Sequence, residues 1–81
     1  MFAYKNKYFL IIESIKDIDL KNIKKRNKFS IIYRNKNNLE NMSDLLNFRR
    51  FCKEKSIKFY VANNAKLAVL LNSDGVYLSS F

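Results

Sequence analysis

Two short clusters in this sequence are built from residues that bind phosphate. The first is Arg34-Asn35-Lys36, and the second is Asn63-Asn64. An arginine offers a planar fork of N–H donors to phosphate oxygens, and a lysine offers a mobile point charge. Two cations and two amides brought to one rim would anchor a phosphorylated small molecule. The absences limit the chemistry further. The chain has no histidine and a single glycine, Gly75. It therefore holds no Ser-His or Cys-His nucleophile pair, no His-ligated metal site, and neither a Walker loop nor a dinucleotide-binding fingerprint. Its one cysteine, Cys52, excludes an internal disulfide and agrees with a reducing compartment. Cys52 reads as a packed residue rather than a nucleophile, because no base is marked beside it.

These clusters need a scaffold. Eighty-one residues make one small domain at most. Hydrophobic content of 48%, with seven Phe and five Tyr, is enough for a packed core and argues against disorder. The apolar run Tyr8 to Ile12 stops at Glu13, far short of the ~20 residues of a membrane span. A cytoplasmic protein is the expectation. The net charge of +9, densest from Lys21 to Lys28, raises a nucleic-acid reading. A solvated helix end explains the same residues, and the aromatics fall in strand-like runs where burial is the commoner fate. Nucleic acid is the weaker expectation.

Four β-forming runs punctuate the chain: Tyr8 to Ile12, Phe29 to Tyr33, Ile57 to Ala62 and Gly75 to Leu78. Between the second and third, Met42, Leu45, Leu46, Phe48 and Cys52 repeat at helical spacing, with Arg49, Arg50, Lys53 and Glu54 turned outward. Asn63 or Asn64 would cap a short helix from Ala65 to Leu71, with Leu67, Leu70 and Leu71 inward. A weaker helix is expected around Ile15, Ile18, Leu20 and Ile23, capped by Asp17 or Asp19. Asp74 reads as a turn or capping residue before Gly75. No hairpin signal joins adjacent strands, so the alternation predicts parallel strands in the order one-two-three-four with right-handed crossovers. An open doubly wound sheet and part of a (βα)8 barrel both satisfy this pattern. Arg34, Asn35 and Lys36 follow the second strand, Asn63 and Asn64 the third, and Ser79 and Ser80 the fourth. All lie at the carboxyl ends of strands, where such folds build ligand sites. Ser79 and Ser80 read as ordinary loop residues. Glu13 and Glu40 follow strands one and two, with no pairing legible.

The segment from Ala62-Asn63-Asn64-Ala65-Lys66-Leu67-Ala68 through Asp74-Gly75-Val76-Tyr77-Leu78 resembles the third-to-fourth-strand region of the thiamine phosphate synthase and thiazole tautomerase (TenI-like) superfamily. That family reads N-D-x-x-x-L-A followed, after a short helix, by D-G-V-H-L-G. Upstream, Ile32-Tyr33-Arg34-Asn35-Lys36 resembles its Q-x-R-x-K. The resemblance runs over residues 1–81 and implies a single partial domain, the first half of a (βα)8 barrel. It implies a transferase that couples hydroxymethylpyrimidine diphosphate to a thiazole phosphate and releases pyrophosphate. Arg34 and Lys36 would hold the diphosphate, with Asn63 and Asn64 beside them. Ile32 replaces the family's glutamine, Tyr77 its histidine, and Asn63 the aspartate that ligates Mg2+. A neutral amide compensates a hard cation poorly, so Asn63 marks a degenerate metal position. The second half of the barrel would carry the thiazole phosphate site, and the 81-residue chain by itself is expected to be inactive.

Three readings follow: a thiamine phosphate synthase-like protein, a non-catalytic or tautomerase-type relative that keeps phosphate binding, and a small basic nucleic-acid-binding domain. On the half-barrel reading, an inner face drawn from Phe9, Ile11, Ile32, Phe59, Val61 and Tyr77 lacks partners, and the chain is expected to self-associate.

Overall fold

The computed structural model describes residues 8–22, 29–35 and 40–78. Its elements are strand β1 (Tyr8–Ile12), two 3-10 turns (Ile15–Asp17 and Leu20–Asn22), strand β2 (Phe29–Tyr33), helix α1 (Met42–Glu54), strand β3 (Lys58–Ala62), helix α2 (Ala65–Leu70) and strand β4 (Gly75–Tyr77). The four strands form one parallel sheet in the order β1-β2-β3-β4. Helices α1 and α2, which connect β2 to β3 and β3 to β4, pack on the same face of this sheet. A doubly wound sheet needs a reversal of strand order, and these strands show none.

Register divides the side chains between the two faces. Ile12, Tyr33, Val61 and Val76 share one row, and Leu10, Ile31 and Phe59 another on the same side. This face is covered at its centre, over β2 and β3, while Leu10 and Val76 at its edges are exposed. Leu45, Phe48 and Cys52 from α1, with Ala68 and Leu71 from the α2 end, pack on Ile31, Tyr33, Phe59 and Val61. Phe59 stands at the centre, stacked on Tyr33 at 6.2 Å and meeting the edge of Phe48 at 5.9 Å. The opposite face carries Phe9, Ile11, Ile32, Tyr60, Ala62, Gly75 and Tyr77. Both helices lie on the other side, and no described helix covers it. Ile32 is nonetheless buried there. A Cβ at Gly75 would approach the Tyr60 ring to 3.2 Å, so glycine gives that ring room to lie across the sheet.

The expected inner face is corrected at two positions. Phe59 and Val61 belong to the helix-covered core, and Tyr60 takes their place on the open side. In a pleat of period two, a one-residue slip exchanges the faces, and hydrophobicity alone did not fix the phase of Phe59-Tyr60-Val61.

Among the described residues after β1 the expected first helix does not form, and two 3-10 turns stand instead, while Ile23 lies outside the described residues. Local side chains compete with the helical backbone there. The Asp17 carboxylate accepts the N–H groups of Glu13 and Ser14 at 3.0 and 3.1 Å, Ser14 Oγ accepts from Lys16, and Asp19 accepts from Lys21. Ser14, rather than Asp17 or Asp19, occupies the capping position. Ile15 and Ile18 still pack on the core, and Leu20 is buried.

Along α1, Leu45, Phe48 and Cys52 are buried as expected, whereas Met42 and Leu46 are exposed. Arg49 is buried, not outward. Asn41 caps the helix by accepting from Ser43 N–H. In α2, Asn64 is the cap; Leu71 is buried, but Leu70 faces outward at 54% exposure. With six residues, this helix buries a stripe through Ala68 and Leu71 and turns position 70 away. Both helices end on non-glycine residues with left-handed backbone, Ser56 (φ 59°) and Asn72 (φ 51°). The closing bonds are Ile57 N–H to the Cys52 carbonyl and Ser73 N–H to the Ala68 carbonyl. No helix among the described residues is long and apolar enough to cross a membrane.

Candidate functional site

The carboxyl ends of β2 and β3 lie side by side, because Tyr33 pairs with Val61 in the last row the two strands share. Arg34 follows β2 directly. Its N–H donates to the Ile12 carbonyl at 2.8 Å, extending the ladder by one bond. One step past Tyr33, the pleat assigns position 34 to the open face, in the row of Ala62 and Tyr77. Arg34 is half-buried. Asn63 follows β3 with left-handed backbone (φ 56°), which asparagine tolerates better than most residues. Its N–H donates to the Tyr77 carbonyl at 2.9 Å and ties the end of β3 to β4. Asn64 Oδ1 accepts the Leu67 N–H at 3.0 Å. Arg34, Asn63 and Asn64 thus stand on one rim, as their spacing predicted. Lys36, Ser79 and Ser80 lie outside the described residues.

Behind this rim, on the helix side, Glu40 forms a junction that the sequence did not disclose. Its carboxylate accepts from the Tyr33 hydroxyl at 2.5 Å, the Ser14 hydroxyl at 2.7 Å and the Ile15 N–H at 3.2 Å. Burial raises the Glu40 pKa, but these hydrogen bonds and nearby Lys16 outweigh it and hold the carboxyl below its ordinary value. Tyr33 moves the other way: burial first, then Glu40, pushes its phenol upward. The junction ties the β1 loop, the end of β2 and the entry to α1 into one unit. Alternation in Ser30-Ile31-Ile32-Tyr33 signals a buried Tyr33; its hydroxyl would need an acceptor, and Glu40 was the carboxylate nearest along the chain.

Two hollows flank this junction. One, of about 260 Å³, is lined by Tyr33, Glu40, Met42, Leu45, Asn64 and Lys66 among others. The other, of about 550 Å³, is bordered by Glu13, Asp17, Glu40 and Asp44 with Lys16 and Asn35. Asn35 Nδ2 donates to the Glu13 carbonyl at 2.8 Å, so this amide of the first cluster braces the β1 loop. Four carboxylates against one lysine make the larger hollow unfavourable for a bare phosphate.

The degenerate magnesium position fares no better in space than in sequence. Asn63 supplies a neutral amide, and among the described residues no three Asp, Glu, Cys or His side chains gather as a metal-holding group. This donor set does not fit a tightly held Mg2+.

Cys52 is fully buried, and burial, with a smaller contribution from Asp74 and against the influence of Arg49, pushes its thiol up to about 12. That is packing, not nucleophile chemistry. Asp74 does more than turn the chain. Its carboxylate accepts the Phe59 N–H at 2.8 Å and faces Arg49 at 3.5 Å. This pair sits at the amino ends of β3 and β4, opposite the rim, where parallel α/β units place stability rather than chemistry.

Comparison with known protein families, with curated proteins and with solved structures finds no match to this chain.

Proposed function

We propose that this chain is a phosphate-ester-binding α/β unit of the thiamine phosphate synthase type, equivalent to the first four strands of a (βα)8 barrel. One observation carries the reading: Arg34 directly follows β2, and Asn63 then Asn64 follow the adjacent parallel strand β3, on a common carboxyl rim. Two features support it. The sheet is wound in one direction with its helices on a single face, as a barrel segment must be. The Asp74-Gly75 pair opens β4, at the place where the resembling family carries the same dipeptide.

On this reading Arg34 and Lys36 bind the diphosphate of a pyrimidine substrate. Their positive charge would stabilise a departing pyrophosphate electrostatically. Asn63 and Asn64 contribute amides and tie down the loop. Because the donor set at Asn63 does not suit Mg2+, the retained property is diphosphate binding rather than turnover.

Titration calorimetry with inorganic pyrophosphate tests this. The parent chain should bind weakly, and Arg34→Ala with Lys36→Ala should abolish binding while leaving the circular dichroism unchanged. Lys53→Ala, on the exposed face of α1, should bind as the parent does. Equal binding by the double variant, or equal loss in the Lys53 control, would refute the site.

A further inference from the structure

Among the described residues, one face of the sheet carries no helix, and the outer edges of β1 and β4 have no strand partner. We propose that two copies of this chain close on each other through this face, with β1 of each copy pairing beside β4 of the other to give an eight-stranded parallel barrel.

Topology is the first argument. The described strands run in the order β1-β2-β3-β4, so β1 and β4 are the two edges and both run the same way. Under a two-fold axis along the sheet, the β4 edge of one copy meets the β1 edge of the other in parallel, and the reverse holds on the far side. Nothing has to refold. The four described strands of two copies would supply eight, the number at which a barrel's side chains just fill its interior.

The second argument is the face itself. Phe9, Ile11 and Tyr77 are 56, 50 and 42% exposed, although all three lie on strands and none is polar at its core. With Tyr60, whose ring lies 6.4 Å from that of Phe9, they form an apolar surface around the buried Ile32. From the amino to the carboxyl end, the rows on this side are Phe9, Ser30 and Lys58, then Ile11, Ile32, Tyr60 and Gly75, then Arg34, Ala62 and Tyr77, so an apolar middle layer lies between rows that also carry polar groups. Lys58 also lies on this side, at the amino end of β3, where its stem can run out to solvent.

Area sets the strength. The exposed parts of Phe9, Ile11 and Tyr77 amount to roughly 300 Å², and two strand edges bring the footprint to on the order of 600 Å² per copy. That is about 1,200 Å² for the pair, the lower end of specific interfaces. A footprint this small fits a reversible dimer rather than a permanent one. Each copy carries a charge of +9, which opposes association, so added salt should tighten the dimer by screening. A pair bridged by contaminating nucleic acid would loosen instead.

Sedimentation velocity on the 81-residue chain from about 1 to 200 μM, at low and high salt, tests this, with hydrogen exchange as a second readout. The expected result is a monomer–dimer equilibrium with no larger species, tighter in salt, and amide protection in β1 and β4 that rises with concentration. Ile11→Lys and Tyr77→Lys should each weaken the dimer at least tenfold with the circular dichroism retained. Val69→Lys, on the exposed side of α2, should leave it unchanged. A folded chain that remains monomeric, open-ended aggregation, dissociation by salt, or face variants that still dimerise would each overturn the proposal.

Discussion

Tyr33 and Glu40, seven residues apart, hold each other across the end of β2: the buried phenol donates to the carboxylate at 2.5 Å, and Ser14 and Ile15 donate to the same group. Removing the acceptor leaves the Tyr33 hydroxyl with no partner for that bond in a buried place. Glu40→Ala should cost about 1–3 kcal/mol. The folded-state pKa of Glu40 is lowered from its ordinary 4.5, so its contribution is present above that value and lost as pH falls through the lowered folded value. Urea midpoints measured down an acid series should fall for the parent and flatten for Glu40→Gln. Parallel curves for the two would show that this carboxylate is not the titrating brace.

Arg49 is only 9% exposed and spans three groups at the other end of the sheet. Its Nε donates to the Asn72 carbonyl at 3.0 Å, its Nη2 faces Asp74 at 3.5 Å, and its guanidinium lies 6.0 Å from the Phe59 ring centre. Arg49→Lys keeps the charge but loses the fork and the flat stacking surface. Both Arg49→Ala and Arg49→Lys should destabilise the fold, the first by about 1–3 kcal/mol. Asp74→Asn should cost less, because its amide oxygen still accepts the Phe59 N–H. Thermal melts of the three variants check that order.

The Cys52 thiol should ignore alkylating and disulfide reagents near neutral pH until the chain unfolds, since it is fully buried and its pKa is pushed up to about 12. The labelling rate should then equal the unfolding rate. Because the folded pKa is raised above the ordinary 9.0, the associated stability is full below that value and declines as pH rises from about 9 toward 12. Rapid labelling of the native chain at pH 8 would contradict this placement.

Ser56 closes α1 with φ at 59°, a conformation that costs a side chain and costs glycine nothing. Ser56→Gly should stabilise the fold by about 0.5–1 kcal/mol, read as a rise of several degrees in Tm. An unchanged or lowered Tm would mean that the serine hydroxyl compensates for the strain.

Strands were the readable part of this sequence, because runs such as Phe29 to Tyr33 concentrate β-branched and aromatic residues where nothing local competes. The rim was readable for the same reason: once β2 and β3 are placed, Arg34, Asn63 and Asn64 must follow them. Three things were not. The phase of Phe59-Tyr60-Val61 depends on which side the helices dock, a tertiary fact. The segment from Glu13 to Asn22 has apolar residues spaced for a helix, but Ser14, Asp17 and Asp19 bind its backbone first. Arg49 reads as a surface cation until Asn72 and Asp74, far along the chain, turn out to face it. Glu40 was hidden likewise, because its partners come from β2 and from the loop after β1.

The order of the strands also bears on how the chain acquires its shape. Tyr8 pairs with Phe29, Ser30 with Lys58, and Tyr60 with Gly75; every strand docks on the one made just before it. A chain emerging from the ribosome amino end first would always find its template already laid down, and no strand would wait for a distant one. Each loop to be closed is short, so the entropy of closure is met in small steps. The growing edge that takes up β2, then β3, then β4 is the same edge that β4 presents when synthesis passes beyond it.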